Sequence, residues 1–159
     1  MQGPQLDFSA LGFSLILFIG ITVLFCRSLI KALEYVNPEN RAIQPTVIWL
    51  LLIPVVTYVV NFIVVFGMSK SIANELESRE FEDVKKPAFT LGIASASLAL
   101  ILVVLQMGLF FVPAVKKYID FIGILSLIQM IVFIQYWMKI NWYKQILQRD
   151  SEGNESEQL

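Results

Sequence analysis

Apolar residues in this chain gather into four stretches that contain no charged side chain, 8–26, 42–69, 87–115 and 121–138, of 19, 28, 29 and 18 residues. A hydrocarbon core about 30 Å thick needs roughly 20 apolar residues at 1.5 Å each. Each stretch is therefore long enough, or nearly so, to cross a bilayer. Backbone amides in lipid must be satisfied within the segment or by a closed barrel. Barrel strands alternate apolar and polar positions, and Ile48, Trp49, Leu50, Leu51, Leu52 and Ile53 do not. The pattern predicts an all-α fold, an integral membrane bundle of four transmembrane helices over about 8–36, 45–79, 87–112 and 118–148. These form one domain, 1–149, with the helices antiparallel in sequence order. The acidic tail 150–159 lacks aromatic residues and is expected to be disordered.

Several residues set the expected boundaries. Arg27, Lys31 and Glu34 keep helical spacing with Leu29, Ile30 and Leu33, so the first helix continues past its apolar run until Asn37 and Pro38. Asn37 can cap a short turn with Pro38 in its first position. Met68, Ile72 and Leu76 extend the second helix, Glu75 and Arg79 can pair across one turn, and Pro54 predicts a kink or tightened turn within it. Pro87 is placed to start the third helix and Pro113 to end it. Ile140, Tyr143 and Leu147 carry the fourth beyond Lys139.

Composition and charge narrow the function classes. With 12 basic and 13 acidic residues, no basic surface is left to neutralise phosphates, which argues against a nucleic-acid partner. The chain has no histidine and one cysteine, Cys26. This removes the commonest general base, haem ligand and zinc ligand, so no catalytic, cofactor-binding or metal site is expected. Cys26 reads as an apolar filler. Asp120, in the first turn of the fourth helix, reads as a local cap or ion pair with Lys116 or Lys117. Under the antiparallel arrangement the basic residues divide seven against five between the two ends, which places both termini in the cytoplasm, in a bacterial inner membrane.

Polarity inside the windows is uncharged. Ser14, Asn61, Ser95, Ser97 and Gln135 fall at similar depth and form a candidate intramembrane polar layer. Such a layer either lines a path for a solute or ion or joins helices through hydrogen bonds worth ~0.6 to 2 kcal/mol each. Gly92, Ala96 and Ala99 lie on a small-residue stripe that permits close helix packing.

The most motif-like region is Asn37, Pro38, Asn40, Arg41, Pro45, Trp49, Leu50, Ile53 and Pro54. It resembles a pattern of small uncharacterised bacterial four-helix membrane proteins, N-P-x-N-R-x-x-x-P-x-x-x-W-L-x-x-I-P. That resemblance spans 37–54 and implies no activity. Physically, Arg41 can bond carbonyls freed at the end of the first helix, while Trp49 anchors the start of the second at the interface. A headgroup or anion contact at Arg41 is the alternative.

These features point to a non-catalytic, multi-pass accessory, scaffolding or assembly subunit of a larger membrane complex. Its expected partners are the lipid bilayer and another protein or a second copy, engaged through helix faces and the segment 69–86. The alternative is a small oligomeric channel or transporter with a polar seam at Asn61 and Gln135.

Overall fold

A computed structural model describes residues 8–81, 86, 88–112 and 117–156, with side-chain placement for all of these except 8–11, 14, 110 and 154–156. The described chain is all-helical, and its long helices α1 (Phe8–Glu34), α3 (Thr57–Ser78), α4 (Phe89–Phe111) and α5 (Ile119–Ser156) are each long and apolar enough to cross a membrane. A short helix α2 (Pro45–Ile48) and a 3-10 turn (Trp49–Leu52) lie between α1 and α3.

The expected helix over 45–79 is thus two elements. Pro54 has no N–H to give to a helical carbonyl, and the chain leaves helical geometry at Ile53 (φ −87°, ψ 111°) before α3 begins. A break replaces the expected kink, and it redirects the chain. Cys26, well inside α1, approaches the Ile48 carbonyl through Sγ at 3.5 Å, so the segment after α1 folds back along it. α3 then returns toward the end of α1, where Arg79 bonds the Tyr35 carbonyl.

Contacts along the bundle fix the helix directions. Phe25 of α1 stacks against Phe133 and Trp137, Ser28 bonds Asn141, and Arg79 joins Tyr35 to Asp150. Residue numbers rise together in α1, α3 and α5, which are parallel. α4 runs the other way: Gly92 lies against Val65 and Tyr136, whereas Ser95 meets Gln129. The expected antiparallel order is corrected accordingly. The outer ends of α1 and α5 lie at opposite ends of the bundle, not on one side.

Helix boundaries also move. α5 continues to Ser156 and takes in seven positions assigned to a disordered tail, 150–156; residues 157–159 lie outside the described residues. α3 ends in a Schellman turn, in which Phe81 N–H bonds the Leu76 carbonyl and Glu80 N–H that of Glu77, with Glu80 left-handed at φ 60°. α4 begins after a second left-handed residue, Ala88 (φ 56°), and ends at Phe111. Pro87 and Pro113 lie outside the described residues.

The core occupies the half of the bundle nearest Arg79. Leu29, Leu33, Ile48, Met68, Ile72, Leu76, Ile140 and Leu147 are fully buried. Toward the opposite end α1, α4 and α5 expose large apolar side chains, among them Ile16 (71%), Val104 (62%) and Phe121 (59%). That distribution suits a solvent of lipid, which imposes no penalty on an outward apolar face.

Candidate functional site

The densest polar chemistry gathers where α1, α3 and α5 end together. Glu75 is fully buried, on the stripe of α3 that also presents Met68, Ile72 and Leu76 to the core. Its carboxylate lies beyond the apolar run of α3, which ends at Ser69, by about 9 Å along the helix. A buried carboxylate needs several donors, and the turn after α1 supplies them. Asn37 donates its backbone N–H to Oε2 (2.8 Å) and Nδ2 to Oε1 (3.1 Å), while Asn40 Nδ2 reaches Oε2 at 2.8 Å. Arg79, one turn along α3, adds Nε at 2.9 Å and an Nη2 contact at 2.8 Å, both to Oε1.

Arg79 carries the network onward. Its Nη2 donates to the Tyr35 carbonyl (2.9 Å), and Nη1 faces the Leu147 carbonyl, the Asp150 carboxylate and Ser151 Oγ at 2.9 to 3.1 Å. One side chain thus touches the end of α1, its own helix and two turns of α5. Every nitrogen of the guanidinium has an acceptor, and both carboxylate oxygens of Glu75 have donors. Beside it lies a cleft of about 590 Å³ lined by Asn37, Pro38, Glu39, Asn40, Ser78 and Arg79.

The same turn is stitched to α3 at further points. Ser71 Oγ donates to the Gly67 carbonyl (2.7 Å) and accepts the Ala42 N–H (2.8 Å); Asn74 Nδ2 donates to the Asn40 carbonyl (3.2 Å). Gly67 permits this approach, because a Cβ there would stand 2.5 Å from Ile43 Cβ. Arg41 donates Nε to the Val36 carbonyl at 2.9 Å, the contact expected of it at the end of α1. Asn37 precedes the 3-10 turn Pro38–Asn40, but its side chain turns to Glu75 instead of capping that turn. Trp49 is 42% exposed at the α2 end.

The sequence pointed to the Glu75–Arg79 pair but not to the asparagines that complete it. A signal was present. A glutamate three residues after Ile72 and next to Leu76 sits on an apolar stripe, where an acid requires partners from elsewhere in the chain.

The polar-layer residues disperse. Ser95 is buried and accepts from Gln129 Nε2 (3.3 Å), whereas Gln135 is exposed on α5. Asn61 and Ser97 are half-buried, and no hydrogen bond joins the described members of the layer to one another. The side chain of Ser14 lies outside those described. Gln129 Oε1 and the Tyr136 hydroxyl are buried without a protein partner. Gly92 and Ala96 are buried in the packing of α4, which makes its most extensive contacts with α5; Ala99 is half-buried. Among the described residues, no group of three or more His, Cys, Asp or Glu could hold a metal ion. No family model, curated protein or solved structure matches this chain.

Proposed function

We propose that the protein is a non-catalytic accessory or scaffolding subunit that presents a fixed surface at one membrane face to a larger complex. The Glu75–Arg79 network carries this reading. Its buried charges are committed to joining three helices and one turn, the use expected of a rigid platform, in which reactive groups are not held free. From that platform α5 extends 18 residues past Met138, about 27 Å at helical rise, with Trp142 exposed and Lys139 lying 4.3 Å from its ring centroid. The exposed Phe81, just past the end of α3, adds a second docking point beside it.

This platform faces the cytoplasm, on the basis of charge. Of the 12 Lys and Arg, Lys85 and Lys116 lie outside the described residues. Of the remaining ten, nine stand at the Arg79 end and only Lys117 at the other, and an excess of basic residues marks the cytoplasmic side. A bacterial inner membrane fits that reading.

An oligomeric channel is the second reading. The observation favouring it is the outward position of Gln135, which makes any path through that residue one formed between copies. Extraction in mild detergent separates the two: a stoichiometric protein partner should co-purify with the subunit. Recovery of the protein alone, with solute or ion flux after reconstitution into liposomes and loss of that flux in Asn61→Leu or Gln135→Leu, would overturn the subunit reading.

A further inference from the structure

The outer face of α3 carries a groove of about 730 Å³, running from Tyr58 past Phe62 and Phe66 to Lys70, with Ala42 and Ile43 on one side and Leu100 of α4 on the other. Three properties define its occupant. The first is shape: Tyr58 to Lys70 spans about 18 Å of helix, close to the roughly 15 Å of one leaflet of the hydrocarbon core. The wall is built and not incidental, since Ile43 is packed against Gly67 with no room for a Cβ between them.

The second is depth. Lys70 is the first charged residue after the apolar run 42–69, so the mouth of the groove stands at the headgroup boundary. Its foot, at Tyr58, lies 11 residues before the end of that uncharged run, about 17 Å deeper at helical rise. The groove therefore enters from the Arg79 face and ends near mid-bilayer, the path of a single acyl chain.

The third is charge. Lys70 is exposed and makes no ion pair with a described residue. Lys86 lies 5.6 Å from the centroid of Phe89, whose ring meets groove-lining Phe66 edge-on at 5.1 Å, so a second cation stands on the α4 side of the groove. Arg41, adjoining Ala42, uses Nε on the Val36 carbonyl and leaves its terminal nitrogens to the surface. An apolar slot of leaflet length under clustered cations is complementary to an anionic amphiphile.

We infer that this groove binds one anionic phospholipid, with an acyl chain along α3 and its phosphate against Lys70 and Lys86. The inference goes beyond the subunit reading and does not depend on any protein partner. Purified protein is reconstituted into vesicles of equal phosphatidylcholine and phosphatidylglycerol, re-extracted in mild detergent, and its retained lipid identified by native mass spectrometry. Attraction of roughly fivefold per basic residue at the surface sets the scale of the expected enrichment. One phosphatidylglycerol per chain should be retained in preference to phosphatidylcholine. Lys70→Glu should abolish the preference and Ile63→Trp, which fills the slot, should abolish retention, each with an unchanged helical spectrum. Lys117→Glu, at the other end of the bundle, should retain lipid as the parent does. Equal retention of both lipids, undiminished preference in Lys70→Glu, or a second copy crosslinked through Ile63→Cys in place of lipid would overturn the inference.

Discussion

Asn37 donates two hydrogen bonds to the carboxylate of Glu75, 38 residues further along the chain, one from its backbone and one from its side chain. This pairing ties the turn after α1 to the last turns of α3, and with Arg79 it makes the junction of α1, α3 and α5 a single hydrogen-bonded unit. Removing one partner of a buried ion pair leaves the other uncompensated and costs ~3 to 5 kcal/mol. Glu75→Ala should therefore lower stability in mild detergent by about that amount, followed by loss of circular dichroism on heating. Replacing both charges, as in Glu75→Leu with Arg79→Leu, should cost less than the sum of the single changes. Additive losses would show that the two side chains act independently.

Gly67 and Gly123 make opposite predictions for the same substitution. A Cβ at Gly67 meets Ile43 Cβ at 2.5 Å, an atom fixed to the backbone, whereas a Cβ at Gly123 meets nothing within 4 Å. Gly67→Ala should destabilise by ~1 to 3 kcal/mol through overpacking. Gly123→Ala, in the interior of α5, should be neutral or stabilising by up to ~1 kcal/mol through helix propensity. Thermal unfolding of the two variants side by side checks both. A stable Gly67→Ala protein would show that the turn after α1 does not pack against α3 as described.

Much of the fold was legible in the sequence, because the solvent is apolar. Uncharged runs of bilayer length announce membrane helices, and the Glu75 to Arg79 spacing announces a helix pair. The reach of Arg41 to a carbonyl beyond α1, and the close packing at Gly92, also follow from local chemistry. The direction of α3 does not. Residues 45–79 keep a helical apolar pattern on both sides of Pro54, and that pattern is the same whether the proline bends a helix or ends one. Only distant contacts, Cys26 with Ile48 and Ile43 with Gly67, distinguish the two. Likewise Asn37 and Asn40 read locally as turn formers, since the acceptor for their side chains lies far along the chain. The polar layer failed as a unit for a related reason: equal depth required the helices to alternate, and with α1 parallel to α5 the Ser14 end of α1 lies far from Gln135, while Ser95 meets Gln129, six residues before the exposed Gln135.

The turn that closes α3 places Glu80 in the left-handed region, where a Cβ crowds the following carbonyl. Glycine accepts that conformation without the clash and is the usual residue at this position of a Schellman turn. Glu80→Gly should stabilise the protein by about 1 kcal/mol, read as a higher midpoint of thermal unfolding. A lower midpoint would show that the Glu80 side chain makes a contribution larger than its backbone strain.

The parallel course of α1 and α3, which brings every end of the Glu75–Arg79 network to one face, is tested most directly by single cysteines at Glu39, Glu80 and Lys117. Cys26→Ala serves as the background, since Cys26 is fully buried. In sealed, uniformly oriented vesicles, a membrane-impermeant thiol reagent should reach Glu39→Cys and Glu80→Cys from the same side and Lys117→Cys only from the other. Labelling of Glu39→Cys together with Lys117→Cys, and of Glu80→Cys from the opposite side, would restore an alternating four-helix order and contradict this fold.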